Sequence, residues 1–476
     1  MGDVDEDKDN AASGDVEVEK PEVIPPPEPE PKPPDVELFV DGFGFMPKSK
    51  TGDRRRSSLF AKLRSTHKDA VAGEAHGEQS PCASSTNIDI VRRYTWKTKN
   101  RMTVQIITYG ATITSISVPD RKGVPDDVLA GFDTLEDYFQ HRNPYFGATI
   151  GRYANVIRDA TFMVRPSGRM YMVSNNKGHH HYNGGYIGFD KVNWRSYVSG
   201  LKVIMSHVSE RFHEGFPGTV MCQVTFEVTC DNTLKIEMKC TTSEPTVINL
   251  SNAPFFNLAG HHTGAELMLD HIFTINADKY TAVDEDGLVT GERKVVGGTA
   301  YDFRVPRVLK TMMSKIPMGG YDINYCITRG TDQDLAFQAR ALHPLTGRVL
   351  EVYSNQPGMQ FYTGNLLPDP DKIVEPVPAT EEAEESEASE MSSERSSVEG
   401  EYEEGEEREG RKSFGYVPLL GKKGTLYKRH GLFCLMPQNY PDAVNNRNFP
   451  SSVLNPGEEY IHRIQYKFGI LLGKYV

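Results

Sequence analysis

Between Val220 and Cys230 the chain alternates strictly. Val220, Cys222, Val224, Phe226, Val228 and Cys230 take every second position. After a turn at Asp231-Asn232 the alternation resumes at Leu234, Ile236, Met238 and Cys240, with Lys235, Glu237 and Lys239 between them. A period of two with one polar face predicts half-buried antiparallel strands. The pattern returns at Leu335, Phe337, Ala339 and Ala341, then after Pro344–Gly347 at Val349–Tyr353. It returns last at Tyr460, His462, Ile464, Tyr466 and Phe468. Long helical periodicity is scarce. The expected fold class is all-β, and several hundred residues of such text require large packed sheets rather than one small barrel.

Two stretches break the pattern. Residues 1–88 read as a disordered, proline-rich and acidic N-terminal arm, of which Pro21–Pro31 is the densest part. Such a segment favours extended polyproline conformations and has no side chains for a core. Within it lies an apolar island, Leu38-Phe39-Val40 and Phe43-Gly44-Phe45-Met46, which reads either as a docking segment or as an unstructured remnant. Arg54-Arg55-Arg56-Ser57-Ser58 resembles a site for basophilic kinases. The second interruption, 369–424, carries Glu381–Glu387 and Glu403–Glu407. Blocks of like charge repel and stay solvated. It reads as an acidic disordered insert in a domain spanning 89–476, because strand text stops before it and resumes after it. A long loop is tolerated, since each doubling adds only about 0.6 kcal/mol of closure entropy. The arm and the insert are the expected places for a protein partner. Their opposite charges suggest a phosphorylation-sensitive attraction between them.

Composition narrows the class. The chain has 476 residues, a formal net charge of -12 and 38% hydrophobic residues. An acidic balance argues against nucleic acid, which requires basic patches. No apolar run is long enough to span a membrane. The start, Met1-Gly2-Asp3-Val4-Asp5-Glu6, lacks the apolar core of a signal peptide, so the expected location is cytoplasmic. The six cysteines (Cys82, Cys222, Cys230, Cys240, Cys326, Cys434) show no CxxC spacing and are expected to be reduced, mostly buried thiols.

Several motifs carry chemistry. They include Pro144-Tyr145-Phe146-Gly147-Ala148-Thr149-Ile150-Gly151-Arg152-Tyr153-Ala154-Asn155 and Gly188-Phe189-Asp190-Lys191-Val192 followed by Trp194. Further on come Thr290-Gly291-Glu292, Gly298–Arg304 and Gln356–Asn365. Two longer signatures run Asn249–Gly260 and Phe433–Asp442. Taken together and in this order, they resemble the aldose 1-epimerases, the galactose mutarotases, over roughly residues 90–368 and 425–476. The resemblance implies the large β-supersandwich of that family, with a sugar cleft on its concave face and a hexose such as galactose or glucose as ligand.

The resemblance also implies acid–base chemistry. In the family a glutamate takes the proton from the sugar O1 while a histidine protonates the ring oxygen, so the ring opens and recloses. Here the histidine position is Ala253 and the glutamate position is Met436. A methyl group and a thioether transfer no proton near neutral pH. The second cleft histidine falls on Asn183, and an arginine position falls on Val156. Three sugar-contacting positions are kept: Asn155, Asp322 and Gln360. His179, His180, His181, His261 and His262 lie near the signatures and read as loop residues. No cofactor is implied, and no metal constellation is visible. Three functions stay open: a sugar-binding protein with impaired or absent catalysis, an active epimerase with an altered acid–base pair, and an interaction scaffold that uses only the fold.

Overall fold

The hairpin read at 220–240 forms as expected. Val220–Thr229 and Thr233–Thr242 pair antiparallel, with Val224 opposite Met238 and Phe226 opposite Ile236. The apolar positions are buried except Cys230 at the turn, and Lys235, Glu237 and Lys239 lie on the wetter face. In this computed structural model the described residues are Gly2, 34–47, 89–369 and 418–473, apart from 141, 165–166, 317–318 and 331–333.

The hairpin lies within a nine-stranded antiparallel sheet. Its spatial order is Arg195–Ser199, Lys202–Ser209, Val220–Thr229, Thr233–Thr242, Tyr460–Ile470, Arg348–Ser354, Ala336–Leu342, Ile272–Ile275 and Arg307–Val308. The last long strand of the chain therefore sits at the centre, between Thr233–Thr242 and Arg348–Ser354. A register shift between Phe337 and Ala339 alters the phase expected there. Ala339 and Ala341 face the core, whereas Phe337 turns outward and packs on Tyr353.

A five-stranded sheet packs on the same core. Its order is Val289–Val295, Ala277–Val283, Asp322–Ile327, Gly358–Tyr362 and Cys434–Gln438. Ile323, Tyr325, Met359, Phe361 and Leu435 point inward, into one cluster with Ile236, Met238, Tyr466 and Phe468. Side chains alternate across a strand, so the neighbouring residues on these strands point the other way.

A third sheet corrects the expected limits of the N-terminal arm. Val36–Phe45 pairs antiparallel with Ile90–Thr98, followed by Thr103–Ile107, Thr112–Pro119 and Pro125–Asp127. The apolar island is thus an edge strand and not part of a disordered stretch 1–88. Val36 is buried, Leu38 packs on the core, and Gly42 and Gly44 flank a register shift. The rest of that arm, with Arg54–Ser58, lies outside the described residues.

The expected insert also ends early. Leu419–Leu420 pairs with Leu426–Tyr427, and the Lys422 side chain is buried. Lys422 Nζ donates to Asp127 Oδ2 at 2.7 Å and to Thr114 O at 2.8 Å. Residues 418–424 therefore belong to the folded domain, and Glu381–Glu387 and Glu403–Glu407 lie outside the described residues.

The cysteine expectation fails at one pair. The register places Cys222 directly opposite Cys240, with Cα atoms 4.4 Å apart, and the two are joined as a disulfide. Cys326 and Cys434 are buried thiols and Cys230 is exposed.

Candidate functional site

The outward face of the five-stranded sheet builds one wall of a cleft. Its register sets Asn324 opposite Gln360, and Gln360 opposite Met436. The next row sets Asp322 opposite Tyr362. Gln360 Nε2 donates to Asp322 Oδ1 at 2.6 Å. Gln360 Oε1 and both side-chain polar atoms of Asn324 have no protein partner, although all are buried. Buried polar atoms are normally paired, and these three are left without a protein partner behind the cleft wall.

The facing wall comes from Asn155 and Asn183. Val156–Ile157 pairs with His181–Tyr182, which brings the two asparagines side by side. Asn155 N donates to Asn183 Oδ1 at 2.8 Å, and Asn183 N donates to Asn155 O at 3.0 Å. Both have positive φ, 68° and 48°, a conformation asparagine tolerates better than most residues. Asn155 Oδ1 accepts from Val156 N at 2.9 Å, which leaves its Nδ2 for the cleft. Gly184 follows at φ +88°, and a Cβ there would lie 1.8 Å from Gly151 O. The chain passes too closely there for any side chain.

All six positions singled out in the sequence at the chemistry or the sugar contacts line one cavity of about 190 Å³: Asn155, Asn183, Ala253, Asp322, Gln360 and Met436. Ala253 is buried, and its backbone is fixed by Ala253 N to Ala148 O at 3.0 Å and Gly147 N to Ala253 O at 2.7 Å. Phe255, Tyr145, Tyr362, Leu366 and Leu367 complete the apolar side. A smaller, polar compartment of about 80 Å³ adjoins it and shares Asn155, Tyr182, Asp322 and Gln360. Lys177, His180, Asp286 and Asn324 line this end, as does Val156.

The titratable groups are confined to particular places. Asp322 is exposed to solvent along the cleft, yet it lies close enough to the protein around it for its charged form to lose hydration. That loss raises its pKa, against the Gln360 hydrogen bond and the Lys177 ammonium, which lower it. Lys177 Nζ lies 4.2 Å from the Tyr182 ring centre. Burial, reinforced by Asp322, raises the Tyr182 phenol well above its usual value, so it stays protonated. Of the ionisable groups lining this cavity among the described residues, Asp322 is paired with Gln360 and the others are tyrosines, which remain phenols at neutral pH.

The histidines considered as substitutes are placed differently. His180 lines the polar compartment, where its Nδ1 accepts from Asp159 N at 3.0 Å. His181 is buried rather than part of an exposed turn; its Nδ1 meets Ser174 O at 2.8 Å, and burial lowers its pKa to about 4. His261 is also buried, with Nδ1 3.0 Å from the Tyr427 hydroxyl. His179 and His262 are exposed. None of the five lines the compartment of Ala253 and Met436. Among the described residues no group of three His, Cys, Asp or Glu side chains could hold a metal ion. No described helix is long and apolar enough to cross a membrane.

Sequence reasoning missed Lys177, Tyr182, Asn324, Tyr362 and Gln438 as cleft residues. Three of them carried a signal. Asn324, Tyr362 and Gln438 stand two positions from Asp322, Gln360 and Met436, and therefore on the same strand face.

Comparison with known proteins agrees with this geometry. Residues 92–467 match the family model for aldose 1-epimerase. The galactose mutarotase of Homo sapiens is 38% identical over 367 residues, covering 77% of this chain and 91% of that protein. The Haemophilus influenzae aldose 1-epimerase is 34% identical over 277 residues, covering 57% and 78%. Among solved structures, a GalM/aldose epimerase homologue from C. elegans superposes with a TM-score of 0.63 at 25% identity, covering 78% of this chain and 97% of that one. The galactose 1-epimerase of Lactobacillus acidophilus shares the fold, with a TM-score of 0.60 at 19% identity and coverage of 80% and 95%. With a family match across most of the domain and a relative at this identity over nearly its whole length, the chain belongs to the aldose 1-epimerase family.

Proposed function

We propose that this chain binds a hexose in the cleft and does not catalyse its epimerisation at an appreciable rate. The observation that carries this reading is the split character of one cavity. Asn155, Asp322 and Gln360 offer hydrogen bonds, while Ala253 and Met436, which the resemblance puts at the family's acid and base positions, offer none. A general acid or base typically contributes about 10²–10⁴-fold, so losing both leaves little above the spontaneous reaction. Hexose binding near the millimolar range, about 4 kcal/mol, fits the few polar contacts that remain.

Polarimetry of fresh α-D-galactose and α-D-glucose tests the first half, and calorimetry with the same sugars tests the second. The expected result is heat of binding with no acceleration over buffer. A heat-labile, protein-dependent acceleration at micromolar protein would overturn the catalytic half.

One observation favours a second reading, an epimerase with an altered acid–base pair. Asp322 has a raised pKa, and Lys177 acts on it electrostatically. In that case Asp322→Asn would abolish the acceleration. The geometry weighs against it, because Asp322 already accepts from Gln360. The third reading, a scaffold that uses only the fold, is favoured by no feature of the cleft. A protein partner, where there is one, is assigned to the arm or the acidic insert.

A further inference from the structure

The two ends of the cleft suit different chemistry. The polar end presents Asn324 Oδ1, Asn324 Nδ2 and Gln360 Oε1, all buried and without protein partners. Asn155, Asp322 and Gln360 at this end offer the hydrogen bonds for sugar hydroxyls. The larger end is walled mainly by Ala253, Phe255, Tyr145, Leu367 and Met436, with Asn183 and Gln438, whose Nε2 has no protein partner, as its polar side chains. The Tyr362 hydroxyl accepts there from Leu366 N at 2.8 Å, which leaves only its proton for a ligand. A sugar hydroxyl directed into that space would give up water and find few partners.

We infer that the ligand is an apolar glycoside, a hexose whose anomeric oxygen carries an aryl or alkyl group. The sugar lies against the Asp322–Gln360 pair and the apolar group fills the space between Ala253 and Met436. This rests on the sugar-binding reading above and on the family resemblance, which implies the anomeric end at those two residues. The chemistry is consistent. A glycoside is an acetal with no free anomeric hydroxyl, so its ring does not open by the proton transfers of mutarotation. An acid and a base at 253 and 436 would have nothing to do, while a methyl and a thioether supply apolar contact. Met is well suited to that task, since its flexible side chain fills irregular space and packs on aromatic rings.

The test is calorimetry on the full chain with D-galactose, methyl and phenyl galactopyranosides of both anomers, and phenol. One phenyl galactoside should bind at least tenfold more tightly than the matching methyl galactoside. Met436→Glu should cut that phenyl-to-methyl ratio several-fold by placing a carboxylate in the apolar end. Should Met436→Glu fold poorly, Leu366→Asp gives the same readout from the lip, where Leu366 is 79% exposed. Equal binding of phenyl and methyl galactosides, with galactose bound, overturns this inference and leaves the sugar reading intact. Absence of binding by every sugar overturns both. Phenol binding as tightly as phenyl galactoside also overturns the inference, because the sugar then contributes nothing.

Discussion

Arg152 and Gln360 are both buried polar residues on the side of the domain that carries the motifs, and their partners differ completely. Arg152 Nε donates to Ser209 Oγ at 2.9 Å and Nη1 to Pro217 O at 2.9 Å. Its Nη2 donates to Ser209 O at 2.8 Å and Glu210 O at 2.6 Å. Burial lowers its pKa only to about 10, so it keeps its charge at neutral pH. Gln360 spends its amide on Asp322 and leaves Oε1 with no partner, next to Asn324, which has none. The first arrangement is saturated and locks chain segments together. The second is unsaturated, in a residue that lines the cleft. Both occur in motifs shared with the epimerases, so likeness of sequence alone does not separate framework from ligand contact; counting partners does.

Four experiments bear on that difference. The largest effect should come from acid. His181, His271, His343 and His462 are buried, and burial lowers their pKa values to about 4, 3, 4 and 3. An unfolded histidine titrates near 6.5. With a depressed folded pKa, stability is intact above that value and is lost as pH falls toward the folded values. Each ring removes about 1.4 kcal/mol per pH unit, so urea melts should lose roughly 4–5 kcal/mol between pH 6 and pH 5. Gln360→Ala should lose the same amount, since it touches none of these rings. A flat profile would mean that the rings are solvated.

Next comes the socket itself. Arg152→Ala strands several buried acceptors at once, and each costs about 1–3 kcal/mol. A loss of at least 3 kcal/mol in denaturant melts is expected, and less than about 1 kcal/mol would remove Arg152 from the framework. Asn324→Leu should act in the opposite sense. It removes two unpaired buried atoms, so the protein should gain about 1 kcal/mol and lose hexose heat in calorimetry. A variant that is less stable and still binds sugar would show that Asn324 is structural. The smallest effect should follow deletion of residues 371–416 with Lys422 retained, which should leave the melting temperature within a few degrees. Lys422→Met should be clearly worse, because it buries Asp127 without its partner.

The sheets were legible because alternation is a local signal that packing rarely overrides, as at Val220–Cys240. The cleft was legible at Asn155, Asn183, Ala253, Asp322, Gln360 and Met436 because ordered motifs fix positions far apart in the chain. Lys177 was not, since nothing in its neighbourhood says that it lies against Tyr182. The edge strand Val36–Phe45 was hidden by its proline-rich surroundings, and its partner, Ile90–Thr98, begins some distance further along the chain. The Cys222–Cys240 pairing depends on cross-strand register, which spacing in the sequence does not state.

The two anchors that flank the acidic insert have a use of their own. The described residues pause after Asp369, tied to Arg429 at 3.1 Å, and resume at Pro418, with Lys422 anchored on Asp127. Leu366 and Leu367, just upstream, form the lip of the apolar compartment. A fluorescent module spliced between these anchors would sit beside the mouth without interrupting a described strand. Its emission could then report occupancy of the cleft, which would make the domain a starting point for a sugar biosensor.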